Sequence, residues 1–169
     1  HGFIKQTNCD PNVVFICPMG STNIDLNVRR FMEKRHFYPI VENLVKKGNK
    51  VYLVGIEKDV FEYGYIDGCK WINTNCIIHS DGNKEEINMK TFMQMVANAK
   101  LAIAAPTSFP IMSSMLAVPT LTLHRYNRNN LPMTSTANDH FGTHFYNTKW
   151  FKTLKMVRYQ DILTHVKTM

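Results

Sequence analysis

The feature that most constrains this chain is a regular change of hydrophobic period. Short unbroken apolar runs, such as VVFIC at Val13–Cys17, take turns with stretches whose apolar residues recur at helical spacing. An unbroken run suits a strand buried on both faces, and a recurrence near 3.6 residues suits a helix lying against it. After the first run, Phe37, Ile40, Val41, Leu44 and Val45 fall on one helical face, and Gly48 ends that helix. KVYLVG predicts a second strand and CIIHS a third. Asn88 then caps a helix that turns Met89, Phe92, Met93 and Val96 to one side. LAIAA and TLTL follow as the fourth and fifth strands, LKMVRY as a sixth, and Asp161 to Met169 as a closing helix with Ile162, Leu163 and Val166 inward.

This order predicts a Rossmann-like three-layer α/β/α domain with a mainly parallel sheet of about six strands. Residues 1–12 read as an N-terminal extension or linker and 13–169 as the α/β domain. Two segments carry no clear period: Glu57 to Asn75, rich in Tyr, Gly and Asp, and His124 to Lys149, too long for a simple turn. A length of 169 residues suffices for one domain with a full core.

Composition narrows the class. At 44% hydrophobic and 20% charged the chain reads as a soluble globular protein. No apolar run approaches the ~20 residues that a membrane-spanning helix needs. A formal charge of +7 suits a polyanionic partner, whether nucleic acid, an acidic surface or ligand phosphate, and equally a solvated basic surface. Cys9, Cys17, Cys69 and Cys76 lack metal-finger spacing and read as reduced thiols of a cytoplasmic, intracellular protein. Cys69 and Cys76 are near enough in sequence to reach each other. The start at His1-Gly2, without Met, is expected of a chain cut from something longer.

Open parallel sheets bind ligands beyond the carboxyl ends of their strands, where helix N-termini present unpaired amides that suit phosphate. Two loops fit. In CPMGSTN, Gly20 permits close backbone approach, Ser21 and Thr22 add hydroxyl donors, and Lys34 and Arg35 follow before the first helix. The loop is neither a Walker loop nor G-x-G-x-x-G, and it also reads as a plain polar loop with a solvated basic pair. In APTSFPIMSSMLAVPT, Thr107 or Ser108 caps a helix and Pro110 suits its first turn. Ile111, Met112, Met115 and Leu116 are expected on its buried side, with Ser113 and Ser114 small enough for close approach to the sheet. Capping alone also explains those hydroxyls.

The stretch NMKTFMQMVANAKLAIAAPTSFPIMSSMLAVPTLTL resembles the nucleotide-sugar half of glycosyltransferases with the GT-B fold, most closely the ADP-heptose:lipopolysaccharide heptosyltransferase family. There, a helix ending in A-x-A-[DK] leads to a strand, then D-[ST]-G-x-x-H, then a small-residue helix ending in G-V-P-T. ANAK, LAIAA, PT and LAVPT stand in that order. CPMGSTN with EKRHFYPIVENL is similar to the family's first strand, phosphate loop and K-[RH]-W helix start, and VYLVGIEKD to its second strand and G-x-E. The resemblance implies that Ser21, Thr22 and Lys34 hold donor phosphates. It implies that Glu57 meets the donor ribose, Ile87 packs on the nucleobase, and Thr107 with the Ser108 amide meets the diphosphate. Pro106, Ser108 and Ile111 stand where the family has Asp, Gly and His, and no catalytic residue is assigned.

On this resemblance the chain is an isolated C-terminal half. It would bind a nucleoside-diphosphate sugar as donor substrate, without a cofactor or metal, and await an N-terminal acceptor domain. The rivals are a non-catalytic binding module and a nucleic-acid-binding or DNA-modifying domain. For the latter, Arg125, Arg128, Lys149 and Lys152 interleave with Tyr126, Trp150 and Phe151. Asp139, His140 and His144 could ligate a metal, but Gly142 argues against the helix that would align the histidines.

Overall fold

The computed structural model of the chain describes residues 10–19, 34–105, 107–124 and 151–155. Among them the elements run β1 (Val13–Cys17), α1 (Lys34–Lys46), β2 (Lys50–Val54), α2 (Glu57–Tyr63), β3 (Cys69–Ile72), β4 (Cys76–Ile78), β5 (Lys84–Glu86), α3 (Met89–Ala97), β6 (Leu101–Ala104), α4 (Ser108–Met115), β7 (Thr120–His124) and β8 (Phe151–Lys155). They form one sheet in the order β5-β4-β3-β2-β1-β6-β7-β8. The neighbours from β3 through β8 in that order pair in parallel, and β4 and β5 add an antiparallel hairpin at the β3 edge.

β1 sits at the centre, with Val14 paired to Val51 on one side and to Leu101 on the other. Alternation along the strands divides the core into two layers. Val14 and Ile16 of β1 face the side covered by Phe37, Ile40, Val41 and Leu44 of α1 and by Val60 and Tyr63 of α2. Phe15 and Cys17 face the side covered by Phe92 and Val96 of α3 and Phe109 of α4. The three-layer Rossmann-like architecture is therefore the one the periodicity predicts.

Three local expectations are corrected. CIIHS is the antiparallel strand β4 rather than a third parallel strand. β3 ends only four residues before it, too short a link for a parallel crossover. Asn73 turns the chain there, its Oδ1 accepting the N–H groups of Asn75 and Cys76 at 2.8 and 3.0 Å. The strand expected at LKMVRY lies at Phe151–Lys155, three residues earlier, and 156–159 are outside the described residues.

The third correction concerns α4, which buries Phe109, Pro110, Ser113 and Ser114, while Met115 is 64% exposed. The small serines let the helix settle against the sheet. The Ser113 hydroxyl contacts Pro110 O at 3.1 Å and Thr120 Oγ1 at 2.8 Å, and Thr120 Oγ1 donates to Val118 O at 2.9 Å. The helix ends in a Schellman turn, Val118 N–H to Ser113 O and Ala117 N–H to Ser114 O, both 3.0 Å. Ala117 takes the left-handed position at φ 59°. The closing helix expected at 161–169 lies outside the described residues.

Candidate functional site

The parallel strands run in the order 3-2-1-6-7-8, so the direction of winding reverses between β1 and β6. At such a switch point the loops leaving adjacent strands diverge to opposite faces and leave a crevice at the carboxyl ends. A cleft of about 420 Å³ opens there, a size that suits a small-molecule ligand. Cys17 and Met19 enter it from the end of β1, Gly55 to Asp59 (Glu57 excepted) from the β2–α2 turn, and Asn73 and Thr74 from the end of β3. Met89 and Phe92 of α3, with Thr107, Ser108, Phe109 and Met112 around the start of α4, complete it.

Three phenylalanines pin the apolar part of this cleft. Phe15 of β1 meets Phe92 edge-on at a centroid distance of 6.4 Å and Phe109 at 6.2 Å, and Phe92 and Phe109 are 6.3 Å apart. Tyr52 stacks on Phe15 at 5.4 Å. Such contacts add to plain burial, and here they fix the first turns of α3 and α4 relative to β1. Asn88 caps α3, its Oδ1 accepting Thr91 N–H at 2.8 Å. Thr107 caps α4, its Oγ1 accepting Phe109 N–H at 3.0 Å.

The polar part gathers around Cys17. Its Sγ approaches Met19 O at 3.5 Å. Burial pushes the Cys17 thiol up to about 12, although the Thr107 hydroxyl beside it favours the thiolate. Asp59 is the one acidic residue lining the cleft and Lys58 the one basic residue, among the described residues. Partial burial raises the Asp59 carboxyl above the usual range, opposed by the Ile56 N–H that donates to its Oδ2 at 2.9 Å. Gly55 makes that turn fit: a Cβ there would lie 2.8 Å from Asp59 Oδ2 and 2.8 Å from Trp71 Cζ3.

Of the residues singled out in the sequence, Thr107 and Ser108 line the cleft. Lys34 is exposed and opens α1; because α1 links two parallel strands, that N-terminus lies at the cleft end of the sheet. Glu57 instead lines the adjoining groove with Asn75, Cys76 and Glu86 and is ion-paired with Lys84. Ile87 is half-buried against the α3–α4 layer, its N–H donating to Asn75 O at 2.8 Å. Ile111 is half-buried in α4. Gly20, Ser21, Thr22, the Arg35 side chain and Pro106 lie outside the described residues, as do Asp139, His140, His144, Arg125, Tyr126, Arg128, Lys149 and Trp150. Phe151 and Lys152 are described as β8 backbone only. Cys17, Cys69 and Cys76 are free thiols.

Asp59, Asn73 and Thr74 also line the cleft, and no sequence motif marks them. The signal available for Asp59 was its place four residues after the glycine that ends an apolar strand.

By sequence, the chain matches no family model and no curated protein. By structure, it matches E. coli heptosyltransferase WaaC with ADP at a TM-score of 0.63 and 11% identity, over 96% of this chain and 45% of that one. WaaC with ADP-2-deoxy-2-fluoro heptose gives 0.62 and 11%, over 96% and 44%. E. coli ADP-heptose lps heptosyltransferase II gives 0.63 and 12%, over 94% and 46%. The chain has a heptosyltransferase-like fold. It spans less than half the length of the structures it matches, and at this level of identity the likeness shows the architecture alone. No helix among the described residues is long and apolar enough to cross a membrane.

Proposed function

We propose that this chain is the donor-binding, C-terminal half of a GT-B glycosyltransferase, and that its cleft takes the nucleoside diphosphate of a nucleotide sugar. The observation that carries the reading is the coincidence of the cleft with the β1/β6 switch point and the N-terminus of α4. Similar folds solved with ADP and with an ADP-heptose analogue support it.

In this reading the apolar wall of Met89, Phe92 and Met112 faces the flat nucleobase. The diphosphate lies toward the start of α4, where orphan amides and the positive dipole end favour an anion. Lys34, exposed at the start of α1, approaches it from the β1 side, and the resemblance assigns Ser21 and Thr22 to the same phosphates. In transfer an acceptor nucleophile, losing its proton, forms a bond to the anomeric carbon as the bond from that carbon to the β-phosphate oxygen breaks, and the electron pair leaves as negative charge on the diphosphate. Donors held in place before the reaction stabilise that charge as it develops.

Thermal-shift measurements with ADP, GDP and UDP test the reading beside a short single-stranded oligonucleotide. One diphosphate at a hundred times its Kd stabilises the folded state by about 2.7 kcal/mol, which raises Tm by roughly 5–10 °C for a domain of this size. No shift with any diphosphate, together with salt-dependent stabilisation by the oligonucleotide, refutes it in favour of nucleic-acid binding.

A further inference from the structure

We propose that a second copy of this chain pairs with it edge to edge along β5, antiparallel, about a two-fold axis at Glu85. Among the described residues β5 is the outermost strand of the sheet, joined to β4 on its inner side and exposed throughout. Ile87 N–H donates to Asn75 O at 2.8 Å and His79 N–H to Asn83 O at 2.9 Å. Antiparallel ladders bond every second residue pair, so Asn83, Glu85 and Ile87 turn their backbone groups toward β4. Lys84 and Glu86 therefore turn theirs outward, and such an edge is a ready template for another strand.

The charges on that edge complement themselves. With Glu85 on the axis, Lys84 stands opposite the partner subunit's Glu86, and Glu86 opposite the partner subunit's Lys84. In this register those two pairs exchange the backbone hydrogen bonds and bring opposite charges together across the join. Lys84 already meets Glu57 of its own chain, so in the dimer it lies between two carboxylates. One contact opposes the register: Glu85 faces the partner subunit's Glu85, each with its own His79 Nε2 3.4 Å from Oε2. Beside the edge, on the face that Lys84 shares with Ile78, Phe61 is 92% exposed and Tyr65 45%. They line a groove with Ile78, Gly82 and Lys84, and exposed apolar side chains grouped in this way mark a surface for association. A three-residue strand beside one groove is a small contact, so the dimer is reversible, with a Kd of about 10–100 µM.

Sedimentation equilibrium of the full chain from about 5 to 500 µM tests this on wild type, K84E, E86K, the double variant K84E/E86K and E85Q. Wild type should pass from monomer to dimer across that range. K84E and E86K each set like charges opposite one another at both pairs and should weaken self-association at least about tenfold. An equimolar mixture of K84E and E86K restores both pairs between unlike chains, and K84E/E86K restores them between like chains. Each should dimerise within about threefold of wild type. E85Q removes the central repulsion and should tighten the dimer about twofold or more. A wild type that stays monomeric overturns the proposal. A dimer that survives either single reversal overturns it too, because it must use another face, as does a mixture of the two that stays monomeric. Growth beyond the dimer overturns it by showing that β5 meets a different edge. If a single reversal fails to fold, K84E/E86K and E85Q decide: a dimer about tenfold weaker in the first, or any weakening in the second, overturns the register.

Discussion

Gly55→Ala is the most informative single perturbation of the cleft's framework. The added Cβ would lie 2.8 Å from Trp71 Cζ3, 2.8 Å from Asp59 Oδ2 and 2.9 Å from Asp59 Cβ, against the 3.5–4.0 Å at which carbon atoms pack favourably. Neither neighbour gives way freely. Trp71 is 1% exposed and its Nε1 donates to Gly64 O at 3.0 Å, while Asp59 holds the Ile56 amide. Overpacking of this kind costs about 1–3 kcal/mol, and displacing either hydrogen bond adds about 1 kcal/mol. The expected loss is about 2–4 kcal/mol, or a fall in Tm of roughly 4–16 °C. Urea unfolding at 25 °C should show a lower midpoint with an unchanged slope. Trp71→Phe removes the six-membered indole ring that Cβ would strike, so the double variant should be less destabilised than the sum by about 1 kcal/mol. Strict additivity, or a Gly55→Ala melt within about 1 °C of wild type, would refute the steric account.

Three further outcomes follow from the described geometry. Ala117→Gly relieves a left-handed residue that costs an L-amino acid about 1–2 kcal/mol, partly offset by glycine's greater unfolded entropy; a melt at or slightly above wild type is expected, and a clear loss would show that the φ of 59° is not strained. Burial raises Cys17 and Cys69 from the ordinary 9.0 to about 12, so the unfolded chain releases those protons first; each thiol's contribution is intact below about pH 9 and falls by about 1 kcal/mol per pH unit up to about pH 12, and Cys17→Ala should flatten that decline in urea titrations at about pH 8 and 10.5. Lys34→Ala should weaken nucleoside-diphosphate binding by about 1–3 kcal/mol if a charged hydrogen bond is lost, and unchanged calorimetric affinity would remove Lys34 from the site.

Legibility in the sequence followed local order. β1 is visible because a central strand must be apolar on both faces, and α1 because its four buried residues recur at helical spacing. β3 gives no clear signal, because CKWI puts an exposed Lys among buried neighbours and is only four residues long. α2 turns inward just Val60 and Tyr63, too few to establish a period. The buried face of α4 is not legible locally, because hydrophobicity argues for burying Met115 and Leu116, whereas close packing on β6 and β7 admits Ser113 and Ser114. The cleft shows the same division. The Thr107 cap is a local signal, but the positions of Asp59, Asn73 and Phe92 around one cavity depend on strand order, which no short window of sequence carries.

The central place of β1 has a consequence for how a ligand would be received. Its amides are bonded to strands on both sides, so the backbone beneath the cavity belongs to the most protected part of the molecule. In native-state hydrogen exchange, Phe15 and Ile16 should release their protons only when the whole domain opens. A guest arriving above them meets a floor already set in shape, and little of its affinity would be spent on ordering that floor.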